Sequence, residues 1–321
     1  MAKEEEAYNV VTSTMFVLWN MCSSVGLILV NKWLLDSIHL SCILLLASVH
    51  LMSSWVAVFV MMQSGYEVYK PMPTSSAVLL ACTFFFTVAF FNWSLMLNSV
   101  GTYQLFKLLV TPLTAALQYV VFGKATSRPT MAALAIICVS VAFVSVSDVS
   151  MTLAGLACAV IAVASSSFNS LWTKSIPTDL GLSAYQLNYH IFPITAAIFA
   201  CASLALENDP MGELISLFHA DMDPDTPGSA RCISMLLTCA MAASLNLSSA
   251  RLIQYTSPLT YHVVGHGKLI LILTFGVLFL NSPISLKVAT GMLGAVVGVM
   301  WYTYIKYNET PPPPPVQDVK V

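Results

Sequence analysis

Residues 40–62 read LSCILLLASVHLMSSWVAVFVMM, an apolar run that holds no Asp, Glu, Lys or Arg. At a rise of about 1.5 Å per residue, a helix of this length crosses the roughly 30 Å hydrocarbon core of a bilayer. In water it would have to bury its whole circumference, whereas in lipid its outer surface is already solvated. Working outward, comparable runs occupy about 12–31, 40–62, 77–97, 101–122, 131–147, 152–172, 184–206, 231–249, 257–280 and 284–304. The breaks carry turn and charge signals: Asn31-Lys32, Lys70-Pro71-Met72-Pro73, Gly123-Lys124, Asp148, and Lys174 to Gly181. Glu207 to Arg231 is the one long polar stretch. The junction from Asn98 to Gly101 is weak, so nine helices is the alternative count. Only 9% of the 321 residues are charged and 57% are hydrophobic. Soluble domains carry about 25% charged residues. The chain is therefore expected to be an all-α polytopic membrane protein of ten transmembrane helices.

Charge placement orients it. With an even helix count, the side of the termini holds Lys3, Lys70, Lys124, Arg128, Lys174, Arg251, Lys306 and Lys320, and the other side holds Lys32, Arg231 and Lys287. The positive-inside rule then puts both termini in the cytosol and the acidic 207–231 loop in the lumen or exterior. Met1 to Ala7 carries one Lys and three Glu, so the first helix is expected to act as an uncleaved membrane signal. The segment 306–321, with five consecutive prolines from Pro311 to Pro315, is expected to be a disordered polyproline tail. The eight cysteines lie in or beside apolar runs without a C-x-x-C pair and are expected to be small buried hydrophobes. No basic cluster exists to follow a phosphate backbone, which excludes nucleic acid as a partner.

Two short patterns recur. Ser99-Val100-Gly101-Thr102-Tyr103 opens the fourth helix with Lys107 just beyond, and Ser257-Pro258-Leu259-Thr260-Tyr261 opens the ninth with Lys268 just beyond. These helices hold the same place in two five-helix halves, about 12–147 and 152–305. An odd number of helices per half inserts the second half upside down, the inverted-repeat plan whose central cavity binds substrate near the midplane. The halves form a single transporter domain.

Lys107 and Lys268 are the only cations well inside the runs, and no carboxylate lies comparably deep. A lysine at the bilayer centre costs at least ~2.5 kcal/mol, so something must compensate each. An anionic substrate pairing with both is the functional reading; snorkelling or a water-filled cavity is the plain one. The missing carboxylates also weigh against proton or sodium coupling. A carrier with two bare cations resists reorientation when empty and crosses when neutralised, which favours obligatory exchange. Tyr103 shares a face with Lys107, and Tyr261 and Gly265 share one with Lys268. Gln104, His262, Asn188 and Tyr189 join them as candidate substrate contacts, in a wider polar set of Asn92, Asn169, Tyr185, Gln186, His190, Asn246 and Tyr255. His262 and His266 have zinc-binding spacing but lack a third ligand, so no metal and no cofactor is expected. No nucleophile elbow, P-loop or dinucleotide fingerprint is present, and no enzyme is expected.

The stretch Ser257-Pro258-Leu259-Thr260-Tyr261-His262-Val263-Val264-Gly265-His266-Gly267-Lys268, closing with Asn281-Ser282-Pro283 and Gly291 to Tyr302, resembles the nucleotide-sugar transporter and triose-phosphate translocator family of the drug/metabolite transporter superfamily. Asn31-Lys32, Tyr103-Gln104-Leu105-Phe106-Lys107 and Thr111-Pro112 fit it too, so the resemblance runs from about 12 to 305. It implies ten helices around a cavity and strict antiport, of nucleotide sugar for nucleoside monophosphate or of sugar phosphate for phosphate. Plastid phosphate translocators end the ninth-helix motif Lys-Arg, where this chain has Lys268-Leu269. Without the planar, bidentate arginine, the nucleotide-sugar branch in Golgi or endoplasmic reticulum is favoured. The Gly-Ala-Leu-Asn-Lys ending of GDP-mannose carriers is absent, which leaves a UDP-sugar, with UDP-galactose-type carriers nearest. The partners expected are the nucleotide sugar, the nucleoside monophosphate and the bilayer, with a homodimer kept open. The alternatives are a phosphate-ester translocator of this fold and a non-transporting scaffold using its tail. Three sequons, at Asn92, Asn246 and Asn308, fall in helices or on the cytosolic side, so no N-glycan is expected.

Overall fold

A computed structural model describes residues 15–28, 30–31, 42–98, 100–123, 127–147, 152–216, 228–255 and 286–309. All its regular elements are helices: α1 (Met15–Ile28), then α2 (Ile43–Gln63), α3 (Thr74–Leu97), α4 (Val100–Leu108), α5 (Val110–Phe122), α6 (Arg128–Ser147), α7 (Leu153–Leu180), α8 (Ala184–Leu206), α9 (Pro210–Ser216), α10 (Gly228–Tyr255) and α11 (Leu286–Glu309). Among the described residues, five stretches are long and apolar enough to span a membrane: α2, α3, α7, α8 and Ala230–Ser249 of α10. At most a third of each span's apolar window is buried. The rest is half-buried or exposed, and Val56, Val60, Leu153 and Leu236 of these spans, like Val139 of α6 and Leu293 of α11, are exposed. That inside-out pattern fits a chain solvated by lipid. It also explains the cysteines: Cys42 is buried, while Cys22, Cys138 and Cys201 are exposed and all eight are free thiols. The expected ninth helix, 257–280, and the proline tail lie outside the described residues.

Several boundaries have clear local causes. Asn98, in extended conformation, separates α3 from α4, so the weak junction is a true break. Gly123 and Gly181 end α5 and α7 in the left-handed conformation, which costs glycine little. Ser183 and Gln186 form a reciprocal capping box that starts α8. The expected span 101–122 is instead two helices. Pro112 has no N–H to offer the Leu108 carbonyl and its ring crowds it; Leu109 N–H bonds back to Phe106, and the helix restarts at Val110. The expected loop from Lys174 to Gly181 is helical up to Leu180. Pro177 sits near the end of α7, where it interrupts little. The long polar stretch carries α9, and α10 begins at Gly228 with Arg231 buried in its first turn.

The main packing pairs are α3 with α7, α6 with α11, α2 with α8, α2 with α10, and α3 with α8. α1 meets α10 through a polar seam. Trp19 Nε1 donates to Ser244 Oγ (2.7 Å), and the Ser23 and Ser244 hydroxyls lie 2.8 Å apart. Asn20 Nδ2 donates to Ser248 (3.0 Å) and Ser249 (2.8 Å). Such bonds hold membrane helices together where lipid offers no hydrophobic drive, at about 0.6 kcal/mol each. Further along α10, Thr238 donates to Asn31 Oδ1 and meets His50 Nε2 at 2.6 Å, and Asn246 Nδ2 donates to Ser54 Oγ (2.8 Å).

Candidate functional site

Lys107 sits in the last turn of α4, two residues before the helix breaks at Leu109. Its ammonium lies 4.4 Å from the centre of the Tyr103 ring and 5.4 Å from that of Phe91. The two rings meet edge to face, 6.0 Å apart. Tyr103 and Phe91 are buried, while Lys107 is exposed. The lysine is therefore not buried as its place in an apolar run suggested; its charge rests on two π faces. At an exposed site such contacts are worth about 0.5–1 kcal/mol, a part of the compensation an intramembrane lysine needs. The i,i+4 pairing with Tyr103 is as the spacing predicted.

Small residues let α7 approach this site. Ala159 and Ala162 are fully buried and pack, with Val163, against Phe91, Tyr103 and Phe106. Ser167 Oγ donates to the Val110 carbonyl (3.3 Å) as well as to Val163 (2.8 Å), which ties α7 to the break between α4 and α5. Discontinuous helices line the binding sites of many transporters, and the break between α4 and α5 lies beside Lys107. Gln104 lies on α4, and its side chain is outside the described residues. So are Tyr261, His262, Gly265 and Lys268.

Asn188 and Tyr189 lie in the second turn of α8, at another seam. The Tyr189 ring packs against Trp55 (6.1 Å), Tyr69 (5.8 Å, edge on) and His190 (5.5 Å). Tyr185 is buried against Val58, and Asn188 is half-buried. Among the described residues no ring contact or hydrogen bond joins this cluster to Lys107. Pro193 deprives the Tyr189 carbonyl of its intrahelical donor, so this seam too contains interrupted backbone. Near the far end of α3, Asn92 and Trp93 line an open cleft of roughly 240 Å³ with Ile43, Leu44, Met96, Leu206, Glu207 and Asn208.

The sequence reading missed Phe91, Trp55, Ser167, His50 and Thr238. Phe91 and Trp55 count only as apolar residues in a hydropathy window. His50 is a lone imidazole in an uncharged run, yet with Thr238 and Asn31 it forms a polar cluster joining α1, α2 and α10. Among the described residues no group of three metal-ligating side chains occurs.

Residues 10–303 match the model of the Triose-phosphate Transporter family. Among similar proteins of Arabidopsis thaliana, UDP-xylose transporter 1 is 29% identical over 285 residues, covering 89% of this chain and 81% of that protein. UDP-xylose transporter 2 is 28% identical, covering 91% and 80%. UDP-rhamnose/UDP-galactose transporter 2 is 30% identical, covering 89% and 80%. A match that takes in every described helix, with the lysine and the broken helix inside it, leaves one assignment: the chain belongs to the Triose-phosphate Transporter family.

Proposed function

We propose that the chain is an antiporter that exchanges a nucleotide sugar, with a UDP-sugar preferred, for the corresponding nucleoside monophosphate by alternating access. The observation that carries this reading is the full-length similarity to proteins named as UDP-sugar transporters, continuous across about nine tenths of the chain. The site chemistry agrees with it. Lys107 offers a cation cradled by aromatic rings, and the same rings suit a ligand that joins an anion to a base. Lys268, Tyr261, Gly265 and His262 are assigned to the same substrate from their place in the ninth-helix motif, and Gln104, Asn188 and Tyr189 to its flanks.

The inverted repeat belongs to this proposal, and the packing supports it. Exchanging the halves maps α1 onto α7, α2 onto α8, α3 onto α10 and α6 onto α11. The main contacts fit the exchange: α3–α7 becomes α10–α1, α3–α8 becomes α10–α2, and α2–α8 and α6–α11 map onto themselves, whereas the smaller α8–α10 contact has no comparable α2–α3 counterpart among the described residues. One hydrogen bond recurs as well. Thr83 Oγ1 of α3 donates to Asn169 Oδ1 of α7 (3.2 Å), and Thr238 Oγ1 of α10 donates to Asn31 Oδ1, just beyond α1.

Segments 64–70 and 181–186 meet at one face, as two loops on one side of a membrane should. We assign that face to the cytosol from the lysine count, and the face of Glu207 to the Golgi or endoplasmic-reticulum lumen. Counterflow tests the function. Proteoliposomes preloaded in turn with UMP, GMP, CMP, AMP or phosphate should take up a labelled UDP-sugar against UMP. Uptake driven by phosphate alone would instead favour the phosphate-ester reading.

A further inference from the structure

α2 and α8 run antiparallel, and each meets the other's N-terminus with a carboxylate. At one face Glu207, which follows α8, accepts hydrogen bonds from the backbone N–H groups of Leu44 (2.6 Å) and Leu45 (3.2 Å) and from Ser203 Oγ (2.6 Å). Glu213 of α9 accepts from the Cys42 N–H at the same helix end (3.0 Å). At the other face Glu67, just beyond α2, accepts from Ser183 Oγ, the N-cap of α8. Three more bonds reinforce that end: Gln186 Nε2 to the Val68 carbonyl (2.7 Å), Lys70 Nζ to the Gly181 carbonyl (2.8 Å), and His190 Nε2 with the Lys70 carbonyl (2.8 Å). Midway, the buried Ser48 hydroxyl donates to the Ala196 carbonyl (2.8 Å).

The first N–H groups of a helix lack intrahelical partners and form its positive end, so a carboxylate there is both acceptor and counter-charge. The arrangement is reciprocal, and both ends are made at once. A gate that alternated between faces would show one end made and its mate broken. We propose that Glu67 and Glu207 are positioning residues that pin α2 to α8 at both membrane faces, so that this seam stays closed throughout the cycle and the motion of transport is carried by other seams. The proposal rests on the transport reading above. The break between α4 and α5 at Leu109, beside Lys107, is a place for such motion.

The test uses the full-length chain in proteoliposomes, with two cysteine pairs, Leu44→Cys with Glu207→Cys and Glu67→Cys with Ser183→Cys. Each is bridged by a short bis-methanethiosulfonate linker that reductant removes, and the unsubstituted chain treated alike is the baseline. Counterflow of a UDP-sugar against UMP is read before bridging, after it and after reduction. Unbridged pairs should run roughly 10- to 150-fold slower at unchanged KM, the worth of a charge-assisted bond, and the Glu207 pair should be the slower of the two because it loses three such bonds. Bridging should restore the baseline rate to within about twofold. Arrest on bridging at either face, reversed by reductant, would mean that the seam opens there and would overturn the proposal. A second measurement needs no substitution. Hydrogen exchange at the Leu44 and Leu45 amides should stay equally slow at rest and during counterflow, and acceleration during turnover also overturns the pin. If the unsubstituted chain exchanges no nucleotide sugar, it is the transport reading that fails. The pin is then judged by the same amides, which should stay protected in Glu207→Gln and lose protection in Glu207→Ala; any other pattern overturns it.

Discussion

Gly298 makes a close contact with the backbone of a neighbouring helix that a single substitution can probe. A Cβ placed on it would lie 2.8 Å from Ile137 Cγ1, 3.1 Å from the Ala133 carbonyl oxygen and 3.2 Å from Ile136 Cγ2. Ala133 and Ile137 are fully buried, and the carbonyl belongs to the backbone of α6, so the obstacles cannot rotate aside. Gly298→Ala should push α11 off α6 by a few tenths of an ångström and cost about 1–3 kcal/mol of overpacking. Alanine's better helix propensity returns about 1 kcal/mol, leaving a net loss of roughly 0–2 kcal/mol. Gly294 provides the contrast. Its added Cβ would meet only the Ser140 side chain, with Oγ at 2.6 Å, and a serine rotamer change relieves that. Gly294→Ala should be neutral or mildly stabilising. Thermal unfolding of both variants in the same detergent, followed by tryptophan fluorescence, should place Gly298→Ala below Gly294→Ala, and Gly298→Leu should fail to give a folded protein. The reverse order would refute the claim that α6 and α11 touch backbone to backbone at Gly298.

Lys107→Met keeps the apolar stem and deletes the charge, so it should lower kcat/KM for counterflow by roughly 10- to 150-fold, the worth of a charge-assisted contact. Lys268→Ala should abolish exchange with the protein still inserted, and normal exchange in either variant removes that lysine from the site. Treatment with an N-glycosidase should leave gel mobility unchanged, because Asn92 and Asn246 lie within α3 and α10 and Asn308 is assigned to the cytosolic end; a shift would move one of them to the lumen. In sealed microsomes a protease should remove a C-terminal tag and spare the 207–231 segment, and the opposite pattern would invert the assigned topology.

Hydropathy located the five long spans in α2, α3, α7, α8 and α10 because the bilayer demands length and apolarity from each helix separately. Punctuation was legible where one residue decides the backbone, as at Gly123 and Gly181. It failed where neighbours decide. Lys174 to Leu180 looks like a loop by composition, yet polar residues at a membrane face remain helical while their backbone bonds persist. The break at Leu109 is invisible to hydropathy, since Pro112 interrupts a run of apolar residues without changing its polarity. The site was half legible. Lys107 and Tyr103 announced themselves by charge and spacing, whereas Phe91 comes from another helix and has no signature until α3 packs beside α4.

On the proposed function, the placement of the described carboxylates bears on how an anion would be selected. Glu207 and Glu213 accept from the amides that open α2, Glu67 from the cap that opens α8, and Asp209 from the Gly212 N–H at the start of α9. Each negative charge is thus held against the positive end of a helix at a membrane face. Within the helices, polar contacts between neighbours are made by neutral groups: Asn20 with Ser248, Asn246 with Ser54, Thr83 with Asn169, and Thr238 with Asn31 and His50. Neutral hydrogen bonds bind helices without creating a field in the interior. Lys107 therefore meets aromatic rings rather than a carboxylate. A carboxylate partner would neutralise it permanently, and a phosphate would have to displace that partner. A π face holds the ammonium weakly enough that a substrate's phosphate can take it over, and the ammonium can return to the rings when the phosphate leaves. With Glu67, Glu207, Asp209 and Glu213 held at helix ends, none of these four competes for Lys107, whose charge is left for the proposed cargo.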